Sequence, residues 1–183
     1  MGPVPVAGAV LTQDAVLSGP VPVDLQGGLP PLIAPTTRLL LLGSFPGVMS
    51  LDQARYYAHP RNQFWRLVGA CIDEPLPDMP YADRLATLAR HDIGLWDMIA
   101  HCRRVGSLDA AVKQASLHPL AGYLKIAAPR LRKIGFNGAL SWKLGQSLAE
   151  HGYAVFKLPS SSPAAASVRF DDKLAIWREM FLS

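Results

Sequence analysis

Two short segments hold most of the side chains able to do chemistry. The first is Gly43-Ser44-Phe45-Pro46-Gly47. Its glycines let backbone approach a ligand closely, and its proline stiffens the turn. It lacks a Gly-Lys-Ser/Thr ending and the GxGxxG spacing, so it is neither a phosphate loop nor a dinucleotide fingerprint. The second is Tyr56-Tyr57-Ala58-His59-Pro60-Arg61-Asn62-Gln63-Phe64-Trp65. It puts aromatic faces, a carboxamide, an imidazole and a guanidinium into ten residues. A carboxamide offers both donor and acceptor, and an imidazole titrates near neutral pH. A helix start explains part of this segment, with Pro60 near the first turn and Phe64 and Trp65 entering a core. It leaves Tyr57 and Asn62 unexplained, on the loop side and at the helix start.

The elements that must position these groups read as strands alternating with helices. Arg38–Leu42 is a short apolar run closed by Gly43, as expected for a strand buried on both faces. Ile93–Trp96, Lys133–Phe136 and Ala154–Leu158 are three more strands. Helical periodicity runs over Asn62–Cys71, Tyr81–Arg90, Asp109–Ala115, Leu120–Ala127, Leu140–His151 and Asp171–Phe181. The pattern predicts an α/β fold, a three-layer α/β/α sandwich around a central four-stranded parallel sheet. A ligand then lies beyond the carboxyl ends of the strands. Those ends are Gly43–Gly47, Asp97, Asn137-Gly138 and Pro159-Ser160-Ser161-Ser162-Pro163.

Composition narrows the class. Half of the 183 residues are apolar and 17% are charged, which excludes a disordered chain. Two cysteines, Cys71 and Cys102, exclude a disulfide-dense scaffold and four-cysteine zinc or iron–sulfur sites. They fit a reducing cytoplasm, which is the expected location. No apolar run approaches 18 residues and no signal-peptide pattern opens the chain, so no membrane partner is expected. Residues 1–30 read as an irregular Pro/Gly-rich arm, in which Ala7–Leu17 could form a short strand or helix. Residues 31–183 read as a single domain. The first 36 residues hold seven of the 16 prolines and only two charges, so the other 147 carry 18 basic and 12 acidic side chains. Arg61, Arg103, Arg104, Lys143, Lys157 and Arg169 could form a modest basic face.

The spacing GSFPG–x9–YAHPRNQFW resembles the first motif of the uracil-DNA glycosylase superfamily. It is nearest to the hypoxanthine-DNA glycosylases and next to the mismatch-specific uracil glycosylases. The likeness continues through Gly94–Asp97, Gly106–Asp109, Phe136–Gly138, Leu158–Pro163, Lys173-Leu174 and Trp177-Arg178, covering roughly residues 30–183 in order.

The resemblance implies an enzyme that flips a damaged base from DNA and cuts its bond to deoxyribose. Tyr57 would be the stacking face. Asn62 would orient water and hydrogen-bond the developing charge, although a helix-capping amide is the competing reading. Phe45 stands where several relatives carry an acidic or amide catalytic residue, and is expected as a cavity wall. Backbone amides around Ser44 and Phe45 would hold the leaving base, beside Gly43. His59 could protonate it, although a structural role is expected first. Asn137 could read a base edge or serve as a turn residue. Asp97 could be a base, and is expected to cap a following helix. Ser160, Ser161, Ser162 and Arg61 would grip phosphate, with Ser162-Pro163-Ala164 as a wedge.

These residues point to a monofunctional glycosylase acting on DNA with deaminated bases, hypoxanthine foremost. Uracil is the first alternative and a silent nucleic-acid binder the rival, favoured by the apolar Phe45. A nucleotide-binding hydrolase is a weaker third. No cofactor or metal is expected, and the enzyme is expected to be monomeric.

Overall fold

The computed structural model of the protein describes residues 25–183. Most of the expected arm, including Ala7–Leu17, lies outside the described residues. Its last residues join the body. Strand β1 (Gln26–Gly27) pairs antiparallel with residues 101–102, and Leu29 is buried in the core.

Strands β2 (Leu39–Gly43) and β3 (Ile93–Asp97) run parallel, with Leu39 opposite Ile93 and Gly43 opposite Asp97. Next come β4 (Ile99–Arg103) and β5 (Lys113–Leu117), then β6 (Lys133–Asn137) and β7 (Ala154–Leu158). The parallel sheet has the order β3-β2-β6-β7. A second, antiparallel sheet has the order β1-β4-β5. The chain moves from β2 to one neighbour, β3, and later to the other, β6. This reversal opens a crevice at the strands' carboxyl ends.

The helices are α1 (Val48–Gln53), α2 (Phe64–Ile72), α3 (Tyr81–Arg90), α4 (Leu120–Ala127), α5 (Ala139–Gly145) and α6 (Phe170–Leu182). A 3-10 stretch, Gln146–His151, continues α5. The leucines of β2 sort by parity, as a pleated strand requires. Leu39 and Leu41 join Phe64, Leu67, Leu88 and Trp177 from α2, α3 and α6 on one face. Leu40 and Leu42 join Ile99, Leu120, Leu124 and Phe136 on the other. Fully burying one such leucine is worth about 1.5–3 kcal/mol. This is the α/β/α arrangement expected from the sequence, with β2, β3 and most of β6 buried on both faces and β7 as a partly exposed edge.

Two expectations are corrected. Asp109–Ala115 is not a helix. A 3-10 turn, Asp109–Ala111, leads into β5, whose residues are mostly exposed and pair with β4. Asp97 caps no helix, because only Met98 separates it from β4. Among the described residues, no helix is long and apolar enough to cross a membrane.

Candidate active site

The ends of β2, β3 and β6 and the loop after β7 surround a cavity of about 800 Å³. Gly43–Gly47, Tyr57, His59, Asn62, Asp97, Ser107–Ala110, Asn137 and Ser160–Ala165 line it. Gly43 allows the closest approach in its floor. A Cβ there would stand 2.5 Å from Asp97 Oδ1 and 3.2 Å from Tyr57 Oη. The turn beyond it is held through its carbonyls. Met98 and Ile99 donate to Gly43 O and Ser44 O at 2.9 and 3.0 Å, and Arg104 donates to Pro46 O.

Tyr57 has a backbone φ of 53°, in the left-handed region that a tyrosine seldom occupies. Its ring lies on Phe64 with centroids 3.7 Å apart and planes 9° from parallel. Helix α2 thus backs one face of a ring that lines the cavity. Burial, then the nearby Asp97 carboxyl, raises the phenol well above its usual range.

Asn62 is not the N-cap of α2, which is Gln63, but it holds the first N–H of the helix from one residue outside it and also lines the cavity. Its Oδ1 accepts the Phe64 N–H at 2.9 Å, and its own N–H donates to His59 O. A carboxamide oxygen has two lone pairs and its nitrogen two protons. One lone pair is committed to α2, and the rest of the group is available to a ligand. His59 Nδ1 accepts the Arg61 N–H at 3.1 Å, so the neutral ring carries its proton on Nε2. Arg61 is solvent-exposed and does not line the cavity.

Ser44 is buried, and its hydroxyl donates to Asp109 Oδ1 at 2.5 Å. Phe45 is both wall and core. It is 6% exposed, belongs to the second hydrophobic cluster and carries the Arg104 guanidinium 5.0 Å above its ring. Arg104 is therefore not part of a basic surface. It is buried and braces the turn.

The serine loop divides its labour. Ser161 is 1% exposed and faces inward. Its N–H donates to Asn137 Oδ1 at 2.9 Å, and Asn137 Nδ2 donates to its hydroxyl at 2.8 Å. Ser161 is thus unavailable to phosphate, and Asn137 spends an acceptor and a donor on the loop. Gly138, with φ 104°, lies against Ser160. Ser160 and Ser162 are half-buried; Ser162 Oγ accepts the Ala164 N–H and starts the turn Pro163–Ala165. Removing the Asn137 carboxamide would leave two buried polar groups of Ser161 unpaired. Asn137→Ala should therefore lose about 1–3 kcal/mol of stability in urea denaturation; an unchanged midpoint would show that the loop holds itself.

Residues 30–181 match the family model of the uracil DNA glycosylase superfamily. The chain belongs to this superfamily. It is 38% identical to a hypoxanthine DNA glycosylase from Methanosarcina barkeri over 84% of its own length and 96% of that protein's. It is likewise 38% identical to a hypoxanthine DNA glycosylase from Methanosarcina acetivorans, over 86% and 98%. A solution NMR structure from Methanosarcina acetivorans, named as a candidate uracil DNA glycosylase, superposes with a TM-score of 0.76. It is 36% identical and covers 85% of this chain and 98% of that one.

Within the superfamily frame, the site has supports that single motifs do not announce. The Gln63 N–H donates to Ser161 O at 2.9 Å, joining the Asn62 segment to the serine loop. Lys173 of α6 is buried and donates to Gln63 Oε1 at 3.0 Å, while Trp177 Nε1 donates to Pro159 O at 3.0 Å. The Lys173-Leu174 and Trp177-Arg178 pairs were the available signal for this. For Asp97 and Asp109, the signal was their place in the segments Gly94–Asp97 and Gly106–Asp109.

Proposed function

We propose that this superfamily member is a monofunctional DNA glycosylase that extrudes a deaminated base, hypoxanthine foremost, and hydrolyses its bond to deoxyribose. The observation that carries the reading is that Tyr57, Asn62 and the Gly43–Gly47 turn face one cavity. The two hypoxanthine DNA glycosylases that align over most of the chain support the choice of base.

Flipping costs a few kcal/mol, least at a mismatched pair. The extruded base meets the face of Tyr57 opposite Phe64. Asn62 steers a water towards the sugar carbon, whose transition state resembles an oxocarbenium ion. Its effect is positioning and electrostatic, since an amide takes no proton at neutral pH. Negative charge collects on the departing base. The Gly43–Gly47 turn is anchored through carbonyls, which supports its amides turning to that charge. No lysine lines the cavity among the described residues, in keeping with water as nucleophile. Ser160, Ser162 and Arg61 hold phosphate at the rim, with Pro163 as wedge, and the enzyme acts as a monomer.

A panel of duplexes holding hypoxanthine, xanthine, uracil or mismatched thymine, treated with alkali after incubation, tests the reading. Strand breaks foremost at hypoxanthine opposite thymine are expected. Binding to the panel without any break would make the protein a silent binder instead. Tyr57→Ala should weaken extrusion by about 1–3 kcal/mol, the worth of one base–aromatic stack. A fluorescent base analogue opposite the lesion reads this directly, and normal extrusion would remove Tyr57 from the role.

A further inference from the structure

We propose that Leu108 fills the gap that the extruded base leaves in the duplex, entering from the rim across the cavity from Pro163. This rests on the glycosylase reading and adds the group that keeps the base from returning to its stack.

A flipped base vacates one step of the stack, and an apolar side chain that enters the step holds it open. The serine loop supplies little bulk for this. Beyond Pro163 it carries Ala164, Ala165 and Ala166, each with one methyl as its side chain. Among the large apolar side chains that the described residues leave exposed, Leu108 alone lines the cavity. It is 59% exposed and joins neither hydrophobic cluster. A leucine that lines a cavity and still faces solvent stands at its mouth, where the duplex must lie while its base is inside.

The backbone around Leu108 is held on both sides. The Val48 N–H donates to Ser107 Oγ at 2.9 Å, and the Ser44 hydroxyl donates to Asp109 Oδ1. The Ala111 N–H donates to Leu108 O at 3.0 Å, and Leu108 itself has ordinary extended backbone. With the backbone already fixed, only the side chain's rotamers remain to be ordered on entering DNA, which keeps that cost small. Both side-chain anchors tie the loop to the turn after β2 and to α1. The serine loop follows β7, at the far edge of the order β3-β2-β6-β7. The two loops therefore reach the mouth from different sides, Pro163 from one and Leu108 from the other. Burying the leucine between base faces removes its exposed apolar area from water, a gain that exists only while the base is out. Leu108 takes part in no bond-making or bond-breaking step.

The test varies what stands opposite deoxyinosine in a duplex: thymine, or a pyrene nucleotide whose flat ring system already fills the gap. Single-turnover base release is measured on both. Leu108→Ala should slow release opposite thymine about tenfold or more, and leave release opposite pyrene within about twofold of wild type. Leu108→Met keeps the bulk and should match wild type on both duplexes. Equal loss in Leu108→Ala on both duplexes would make Leu108 a wall of the base pocket, and no loss on either would make it a bystander. Each of these overturns the role of Leu108 and leaves the glycosylase reading standing. A wild-type protein that releases base from neither duplex, nor from their deoxyuridine counterparts, overturns both. Leu108 lies outside the core, so its truncation spares the fold.

Discussion

Asn62→Ala is expected to slow base release at least about 30-fold, equivalent to about 2 kcal/mol of barrier. The carboxamide is the polar end of the segment that faces the cavity beside Tyr57, and no ionisable side chain stands at Phe45 to replace it. Asn62 Oδ1 also accepts the first N–H of α2, that of Phe64, so the same change should cost about 1 kcal/mol of stability. The two effects separate in Asn62→Asp, because an aspartate accepts that N–H as well as an asparagine. That variant should melt like wild type, and the rate loss in Asn62→Ala should persist well below its own melting temperature. Single-turnover cleavage of an inosine duplex measures it. An unchanged rate would take Asn62 out of the mechanism and leave it a support of α2.

The second large effect is on stability and follows from Asp97. Its folded-state pKa is raised from 3.8 to about 7, chiefly by burial. Below pH 3.8 the acid is neutral in both folded and unfolded chains. Between there and about pH 7 the unfolded chain gives up the proton while the folded chain keeps it, so stability falls as pH rises. Above about pH 7 the loss is complete. Asp97→Asn removes this slope. Relative to its difference from wild type at pH 4, the variant should gain on the order of 3 kcal/mol at pH 8. Urea unfolding at the two pH values measures it. Parallel stabilities of variant and wild type across the range would mean that Asp97 is not held neutral by the fold. A buried acid that destabilises the folded chain above its own pKa is a common feature of cavity walls.

The sequence made the parallel sheet legible because β2 and β3 are buried on both faces and its strands read as short, mostly apolar runs. Leu39–Leu42 is the plainest case, and Ala154–Leu158 has the expected bounds. Helices Tyr81–Arg90 and Leu120–Ala127 also fall where their periodicity puts them. The antiparallel sheet was not legible. β5 is an exposed edge with no apolar alternation to read, and β4 mixes polar and apolar residues. Helix α1, at six residues, is too short to show a period. The meeting of Tyr57, Asn62 and the Gly43–Gly47 turn was foreshadowed by their spacing. The inward turn of Ser161 was not, because three consecutive serines look alike until Asn137 selects one. Asp97 was obscured by the commonest use of an acid after a strand, which requires a helix that this chain does not place there.

The tie from α6 to both motif loops has a consequence for how the protein comes into being. Lys173 and Trp177 follow the groups they buttress, Gln63 and Pro159, by 110 and 18 residues. A ribosome must therefore make α6 before the walls of the cavity can be clamped. A nascent chain that has not yet released α6 from the exit tunnel has no finished pocket.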